Sequence, residues 1–228
     1  MNKNWILLPG GLHACFAIEH ALGKTIECSG INTCAVECGT YTVAALRGVH
    51  SGKAFKRAVE YHLINALAII TMKFEALPEG LLTPELQTKC KNLRDALHAR
   101  NPSMTTIFDE IQKEFVDTIQ VQMVRNEEGG LAQFFDSYLE QVENLLQIVS
   151  ACRREDWEGY LAGLEGGNKY FFARDLFNYA RLIPVHIAQM KQLKNDEPEV
   201  WASLVAGEFV VNKSGIPFSS LFTDQALE

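Results

Sequence analysis

The pattern that most constrains the fold is a long run of apolar residues spaced for one face of an α-helix. Over positions 131–149 the steps between them alternate four and three, through Leu131, Phe135, Tyr138, Val142, Leu145 and Val149. This is the period of an amphipathic helix. Helical spacing also runs through 53–74 and 107–119. The chain is therefore predicted to bury its core mainly between helices.

Residues that favour helix ends divide this pattern into separate helices. Thr83 and Pro84 predict an N-terminus, and the helix they begin should run to about residue 100. Asp156 is predicted to cap the helix "WEGYLAGLEGG", whose paired glycines would end it. A long helix is expected over about 171–193, with a kink at Pro184, which cannot donate to the carbonyl of Ala180.

Two short segments indicate β-strands. "WILLPGG" at 5–11 is typical of a buried strand ended by Pro and Gly, and the helix after it is expected to stop at Gly23. "EFVVNKS" at 208–214 is β-branched, and a turn at 215–217 would pair it with "FSSLF". The predicted fold class is mainly α with a small β component (α+β).

Charge and hydropathy narrow the range of partners. The net charge is −7, divided into about +2 over residues 1–75 and −9 over the rest. An acidic chain disfavours a non-specific nucleic-acid surface, so DNA contact is expected only through residues 1–75. No apolar run reaches the roughly 18 residues of a membrane span, and no secretory signal is evident. We therefore expect an intracellular protein that does not enter a membrane.

A zinc site is one interpretation of the cysteines and histidines of the first 50 residues. The candidates are Cys28, Cys34, Cys38, His13, His20 and His50. Structural zinc ligands usually come in close pairs such as C-x2-C, and these spacings do not match. Thiols buried in a helical core are the favoured alternative, and the six cysteines of the chain should be unpaired in a reducing compartment.

Motifs for nucleotide binding or nucleophilic hydrolysis are absent: the sequence has no Walker A loop, G-x-G-x-x-G or G-x-S-x-G. "GGLH" at 10–13 could present backbone N–H groups as an anion site at a helix N-terminus. A tight strand-to-helix turn explains the same residues and is favoured.

The long helix over 171–193 carries a candidate binding surface. Arg174 and Arg181 are seven residues apart and would share a face of that helix, either as a salt-bridge network or as a binding surface. The salt-bridge interpretation is favoured. Phe177 and Tyr179 are expected to point into the core, and His186 to be a packed or solvated helix histidine.

The last residues contain two acids at helical spacing. Asp224 and Glu228 would lie on one face of a helix, where carboxylates can bind Mg²⁺ or Mn²⁺ if a third ligand joins them. Asp224 is explained equally well as a first-turn acid or cap after Thr223, and by local chemistry capping is favoured.

Three stretches carry a family resemblance: "LPGGLHACFAIEHALG", "GNKYFFARDLFNYARLIPVHIAQMKQL" and "PEVWASLVAGEFVVNKSGIPFSSLFTDQALE". They resemble animal mobile-element-derived proteins similar to degenerate transposases. That resemblance implies a partial ribonuclease-H-like core interrupted by a helical-bundle insertion. Carried over, residues 1–75 would be a core segment, 76–206 the insertion and 207–228 the return to the core. The complete parent is implied to be a metal-dependent DNA transposase.

The resemblance also implies a set of site residues. Glu228 would be the third catalytic, metal-binding acid, with Asp224 a poorer candidate. Independently of the resemblance, Arg174, Arg181 and His13 are candidate residues of a binding surface. Mg²⁺ or Mn²⁺ is implied only for a complete parent. The chain has Gly10 and Gly11 where related transposases tend to carry an acid before the histidine, and the first strand with its Asp is missing.

Two functions are therefore expected as alternatives. One is a catalytically inert, truncated transposase-like protein with no cofactor of its own, located in the nucleus. The other is a helical scaffold or protein-binding module that contacts a protein partner through the helical region, in the cytoplasm.

Overall fold

The fold is described from a computed structural model, which covers residues 8–50, 54–75, 83–98 and 130–210. Over these ranges the chain forms the helices α1 Gly11–Ile26, α2 Ile31–Glu37, α3 Val43–His50, α4 Phe55–Glu75, α5 Pro84–His98, α6 Gly130–Arg154, α7 Trp157–Ala173, α8 Phe177–Asp196 and α9 Pro198–Ser203. A π-helical turn, Leu204–Glu208, follows α9. The prediction of a mainly α-helical protein is confirmed.

The chain divides into two compact units. The first comprises Met1–Leu67 and Ser137–Glu228, and the second comprises Ala68–Asp136. Within the second unit, Lys73 forms an ion pair with Asp136. The sequence-based division at residues 75 and 206 stays a prediction.

The core of the first unit lies between α1, α6, α7 and α8. Its fully buried side chains include Ile18, Leu22, Leu145, Ile148, Trp157, Tyr160, Phe171 and Ile183. The predicted stripe of α6 supplies Tyr138, Val142 and Leu145, all at most 1% exposed. The spacing therefore identified the buried face in the middle of α6, whereas Phe135 and Val149 are half-buried and Leu131 is 68% exposed.

The glycines of α7 do not end that helix, contrary to the sequence prediction. Gly163, Gly166 and Gly167 lie inside α7, which continues to Ala173. A Cβ on Gly163 would lie 2.6 Å from Cγ1 of Ile148 on α6. These positions lack side chains because the neighbouring helix packs directly against the backbone. Gly23 likewise lies within α1, which ends at Ile26.

The β component is not supported by the described residues. Leu8–Gly10 are irregular, and Glu208 belongs to the π-helical turn, so no strand occurs in the ranges the structure covers. Phe209 and Val210 form a turn and a bend, and the remaining residues of the two predicted strands, 5–7 and 211–214, lie outside those ranges. Helical packing continues up to Glu208 because Leu204 and Gly207 are buried there.

The predicted helix over 171–193 is two helices. The chain turns at Arg174–Leu176, where Asp175 has φ +60° and the N–H of Leu176 donates to the carbonyl of Phe171. Pro184 lies inside α8, as predicted. None of the helices in the described ranges is both long and apolar enough to cross a bilayer.

Candidate functional site

The acidic pair predicted from the resemblance lies outside the described residues. The metal-binding role of Asp224 and Glu228 therefore stays a prediction. His13 is exposed on the first turn of α1. Within the ranges covered by the structure, no three His, Cys, Asp or Glu side chains are grouped to hold a metal ion.

The cysteines of the zinc interpretation are not buried in the core. Cys28, Cys34 and Cys38 are all exposed, whereas Cys15 and Cys152 are buried. The expectation of core thiols was wrong for the first three, because they lie in α2 and the turns around it, at the surface of the unit.

Arg174 and Arg181 do not share a helix face. Arg174 follows the last residue of α7, and its carbonyl accepts a hydrogen bond from Nζ of Lys24 at 2.8 Å. Arg181 is exposed on α8 and donates to the carbonyl of Phe177 and to Oδ1 of Asn178, both at 3.2 Å. Neither arginine has a carboxylate partner among the described residues.

The exposed side of α8 carries large apolar side chains. Phe177, Leu182 and Val185 are 54%, 52% and 54% exposed. The opposite side supplies the core through Ile183, His186, Ile187 and Met190. Phe177 was predicted to be core-directed and is not, because α8 begins at that residue and turns it outward. Tyr179 is half-buried and packs on Phe171, with ring centroids 5.5 Å apart.

A pocket of about 170 Å³ lies where α1 begins. Its lining includes Pro9, Gly10 and Gly11 on one side and Cys152, Trp157 and Phe209 on the other. Ala14 N–H makes the first hydrogen bond of the helix, to the carbonyl of Gly10 at 3.1 Å. The N–H groups of residues 11–13 therefore have no acceptor within α1. The sequence motif "GGLH" marked this helix start.

Aromatic rings form the far wall of this pocket. The indole of Trp157 stacks on Tyr160 with centroids 5.6 Å apart, and Phe209 meets both rings edge-on or tilted. Tyr160 donates its hydroxyl proton to the carbonyl of Pro9 at 2.8 Å, which ties α7 to the start of α1. Burial raises the pKa of the Cys152 thiol to about 12, so this wall is uncharged at neutral pH.

The core also holds polar groups that sequence reasoning missed. Glu19 is 3% exposed, and neither carboxylate oxygen has a hydrogen-bond partner within the part of the chain that the structure describes. His62 and Tyr138 are buried together, with Nδ1 2.9 Å from the phenolic oxygen. The burial of Glu19 could have been predicted from its spacing, because Glu19 shares one helical face with Cys15 and Leu22.

The chain was compared with known families and proteins. A family model described as "Domain of unknown function (DUF8702)" matches residues 2–228. No curated protein and no solved structure matches the chain.

Proposed function

The chain belongs to the DUF8702 family, and we propose that it is a helical protein-binding module. Its docking surface is the exposed side of α8, formed by Phe177, Arg181, Leu182 and Val185. Its partner is an amphipathic helical segment that carries acidic residues beside an apolar stripe. The observation that carries this proposal is the exposure of three large apolar side chains on one side of α8.

Apolar exposure supports binding because these side chains are adjacent and not scattered. Positions 177, 181 and 185 are spaced by four, and 182 is next to 181, so all four residues share one side of the helix. Contiguous apolar patches of this kind mark interaction surfaces. Each of these side chains is about half exposed, so covering one contributes roughly 1 kcal/mol to binding. A partner helix would offer side chains at the same period.

The charges on α8 favour an acidic partner. Arg181 donates only to neutral oxygens, so its charge is not compensated by a carboxylate among the described residues. Carboxylates on the partner would pair with Arg181 and set the orientation of the partner helix.

Selection of peptides on the full chain tests the proposal. The probe is a phage-displayed library of amphipathic helical peptides. We expect enriched peptides to combine a helical apolar stripe with Asp or Glu, and Leu182→Asp to weaken their binding about tenfold or more, because it removes apolar burial and places a carboxylate opposite theirs.

The matched control is Val43→Asp, which changes an equally exposed apolar residue on α3. It should leave peptide binding unchanged. Arg181→Glu should weaken acidic peptides and be rescued by peptides in which Lys replaces the acid. Peptides that bind the Leu182→Asp chain as tightly as the unaltered chain would contradict this surface, as would a selection that enriches nothing.

The ordered motifs "NYAR", "PVH", "FVVNKS" and "DQALE" support a second proposal, that the chain derives from a transposase-like ancestor of ribonuclease-H type. Under this proposal, Mg²⁺ or Mn²⁺ served DNA strand transfer in the complete parent, and residues 1–75 keep a weak DNA contact in the nucleus. We expect the present chain to be inert.

A plasmid-cleavage assay with Mn²⁺ tests this second proposal. The full chain should leave supercoiled DNA intact, and filter binding at low salt should retain DNA weakly. Cleavage that Glu228→Gln abolishes would show that the chain is active, and an absence of DNA retention would remove the DNA contact.

A further inference from the structure

We propose that Cys34 and Cys38, on the outer face of α2, bind a soft, two-coordinate cation of the Cu⁺ class between their two thiolates. The proposal is independent of the α8 docking surface. It rests on the exposure of both thiols, on their spacing along the helix, and on the hydrogen bonds that hold the other face of α2 against its neighbours.

The exposure of the two thiols is the first observation. Free cysteine is among the most buried residue types, and its chemical reactivity, more than its packing, usually decides where it is kept. Cys34 and Cys38 are nevertheless both exposed, within one short helix and its C-cap. Core packing therefore does not account for cysteine at these two positions, and thiol chemistry does.

The spacing of the two thiols is the second observation. The N–H of Cys38 donates to the carbonyl of Cys34 at 2.9 Å, so the two residues stand about one helical turn apart. Side chains at this spacing share a face, with Cβ atoms about 5–6 Å apart. A disulfide needs Cβ atoms about 3.5–4.5 Å apart, so the pair is too widely spaced to form one while α2 keeps its helical form. A cation between the two sulfurs bridges the larger gap.

Hydrogen bonds on the inner face of α2 fix the orientation of the helix. Oδ1 of Asn32 accepts the hydroxyl proton of Tyr61 at 2.7 Å and lies 3.1 Å from Nε2 of His50. Tyr61 is on α4 and His50 is on α3, so Asn32 ties α2 to two other helices. Positions 34 and 38 lie on the opposite side of α2 from Asn32. The same bonds therefore keep both thiols at the surface.

The ligand set selects the ion. Thiolates prefer soft cations, among which zinc and iron–sulfur clusters take about four ligands. In the ranges that the structure covers, no group of three His, Cys, Asp or Glu side chains could hold a metal ion. A pair of thiolates matches Cu⁺, because a linear arrangement of two sulfurs satisfies this ion. Binding converts both thiols to thiolates, so two protons leave for each Cu⁺ bound and the ion keeps its oxidation state.

Anaerobic titration of the full chain with Cu⁺, in competition with the chelator bathocuproine disulfonate, tests the site. We expect one Cu⁺ per chain to be withheld from the chelator, with an affinity that rises with pH because protons are released. Cys34→Ser and Cys38→Ser should each weaken this binding about a hundredfold or more, since a single thiolate cannot chelate. A chain that takes no Cu⁺ from the chelator would overturn the proposal, as would variants that bind as tightly as the unaltered chain.

Two further variants separate the paired thiols from surface thiols in general. Cys28→Ser removes an exposed thiol outside α2 and should leave the affinity unchanged. Thr33→Cys combined with Cys34→Ser keeps two thiols in this segment but moves one to another face, so the double variant should bind as weakly as Cys34→Ser alone. An equal loss in Cys28→Ser, or full binding by the double variant, would show that Cu⁺ does not need this geometry and would overturn the assignment.

Discussion

Glu19 places an ionisable group in the core without a partner. Burial raises the pKa of this carboxyl to about 8. The folded chain therefore holds a proton there at neutral pH that the unfolded chain, with a pKa near 4.5, has already lost. The contribution of the Glu19 carboxyl to the free energy of unfolding is therefore greatest below pH 4.5, and it is lost as the pH rises towards 8.

Replacing this carboxyl should change stability in a pH-dependent way. We expect Glu19→Gln to raise the free energy of unfolding at pH 8 by on the order of 4 kcal/mol relative to the unaltered chain, and to change it little at pH 4.5. Urea unfolding followed by circular dichroism at both pH values measures this. The same difference at the two pH values would mean that Glu19 is not protonated by burial.

His62 has the opposite dependence on pH. Burial lowers its pKa to about 3, so it stays neutral in the folded chain while the unfolded chain takes up a proton below about pH 6.5. Its contribution to stability is present above pH 6.5 and is lost as pH falls.

His62→Gln should therefore flatten the acid side of the stability profile. Between pH 6.5 and 5 the free energy of unfolding of the unaltered chain should fall by up to about 2 kcal/mol because of this residue. The variant should not show this part of the fall. The variant should also be less stable at pH 7, because Tyr138 loses its partner. Chemical unfolding across pH 5–7.5 measures both effects, and parallel profiles would show that His62 does not titrate on unfolding.

At the scale of helices, the close approach of α6 and α7 depends on Gly163. Gly163→Ala should lower the free energy of unfolding by about 1–3 kcal/mol, although Ala favours helices, because its Cβ would meet Ile148. The matched control is Gly48→Ala on α3, where a Cβ would have open space, and there we expect a gain of up to about 1 kcal/mol. Thermal unfolding compares the two. Equal effects would mean that the helices are not closely packed at Gly163.

The start of α7 depends on a side-chain cap. Oδ1 of Asp156 accepts from the N–H of Gly159 at 2.9 Å. Asp156→Ala should cost about 1 kcal/mol of stability, while Asp156→Asn keeps the cap and should cost less. Urea unfolding midpoints distinguish the two variants, and equal losses would contradict capping.

At the scale of the whole molecule, metal chelation tests the hypothesis that the cysteines are free thiols and not zinc ligands. The cysteines considered for zinc lie exposed, and the described residues contain no group of three His, Cys, Asp or Glu side chains placed to hold a metal ion. We expect the thermal midpoint of the full chain to be unchanged by EDTA or phenanthroline, because these cysteines are not grouped with further ligands in the described ranges and a structural zinc would stabilise the fold. A chelator-dependent fall of several degrees would contradict this.

Elements with strong local signals were predictable from sequence. The middle of the α6 stripe, the start of α5 at Pro84 and the cap of α7 at Asp156 occur where the pattern placed them. The turn at Asp175 was missed because apolar spacing continues across it. The pocket could be predicted only in part: "GGLH" marked the helix start, but Trp157 and Phe209 reach it from elements more than 140 residues away along the chain.

The sequence by itself determined that this protein is helical, because amphipathic period, caps and Pro positions are local properties. Only the tertiary structure decided which glycines lie between helices and which lie inside a helix at a close contact with its neighbour. The reason is that such a contact depends on the residues of the neighbouring helix. It also decided that Phe177 faces outward and Glu19 inward. Burial is a property of the packed elements, and residues close along the chain do not specify which of them will meet.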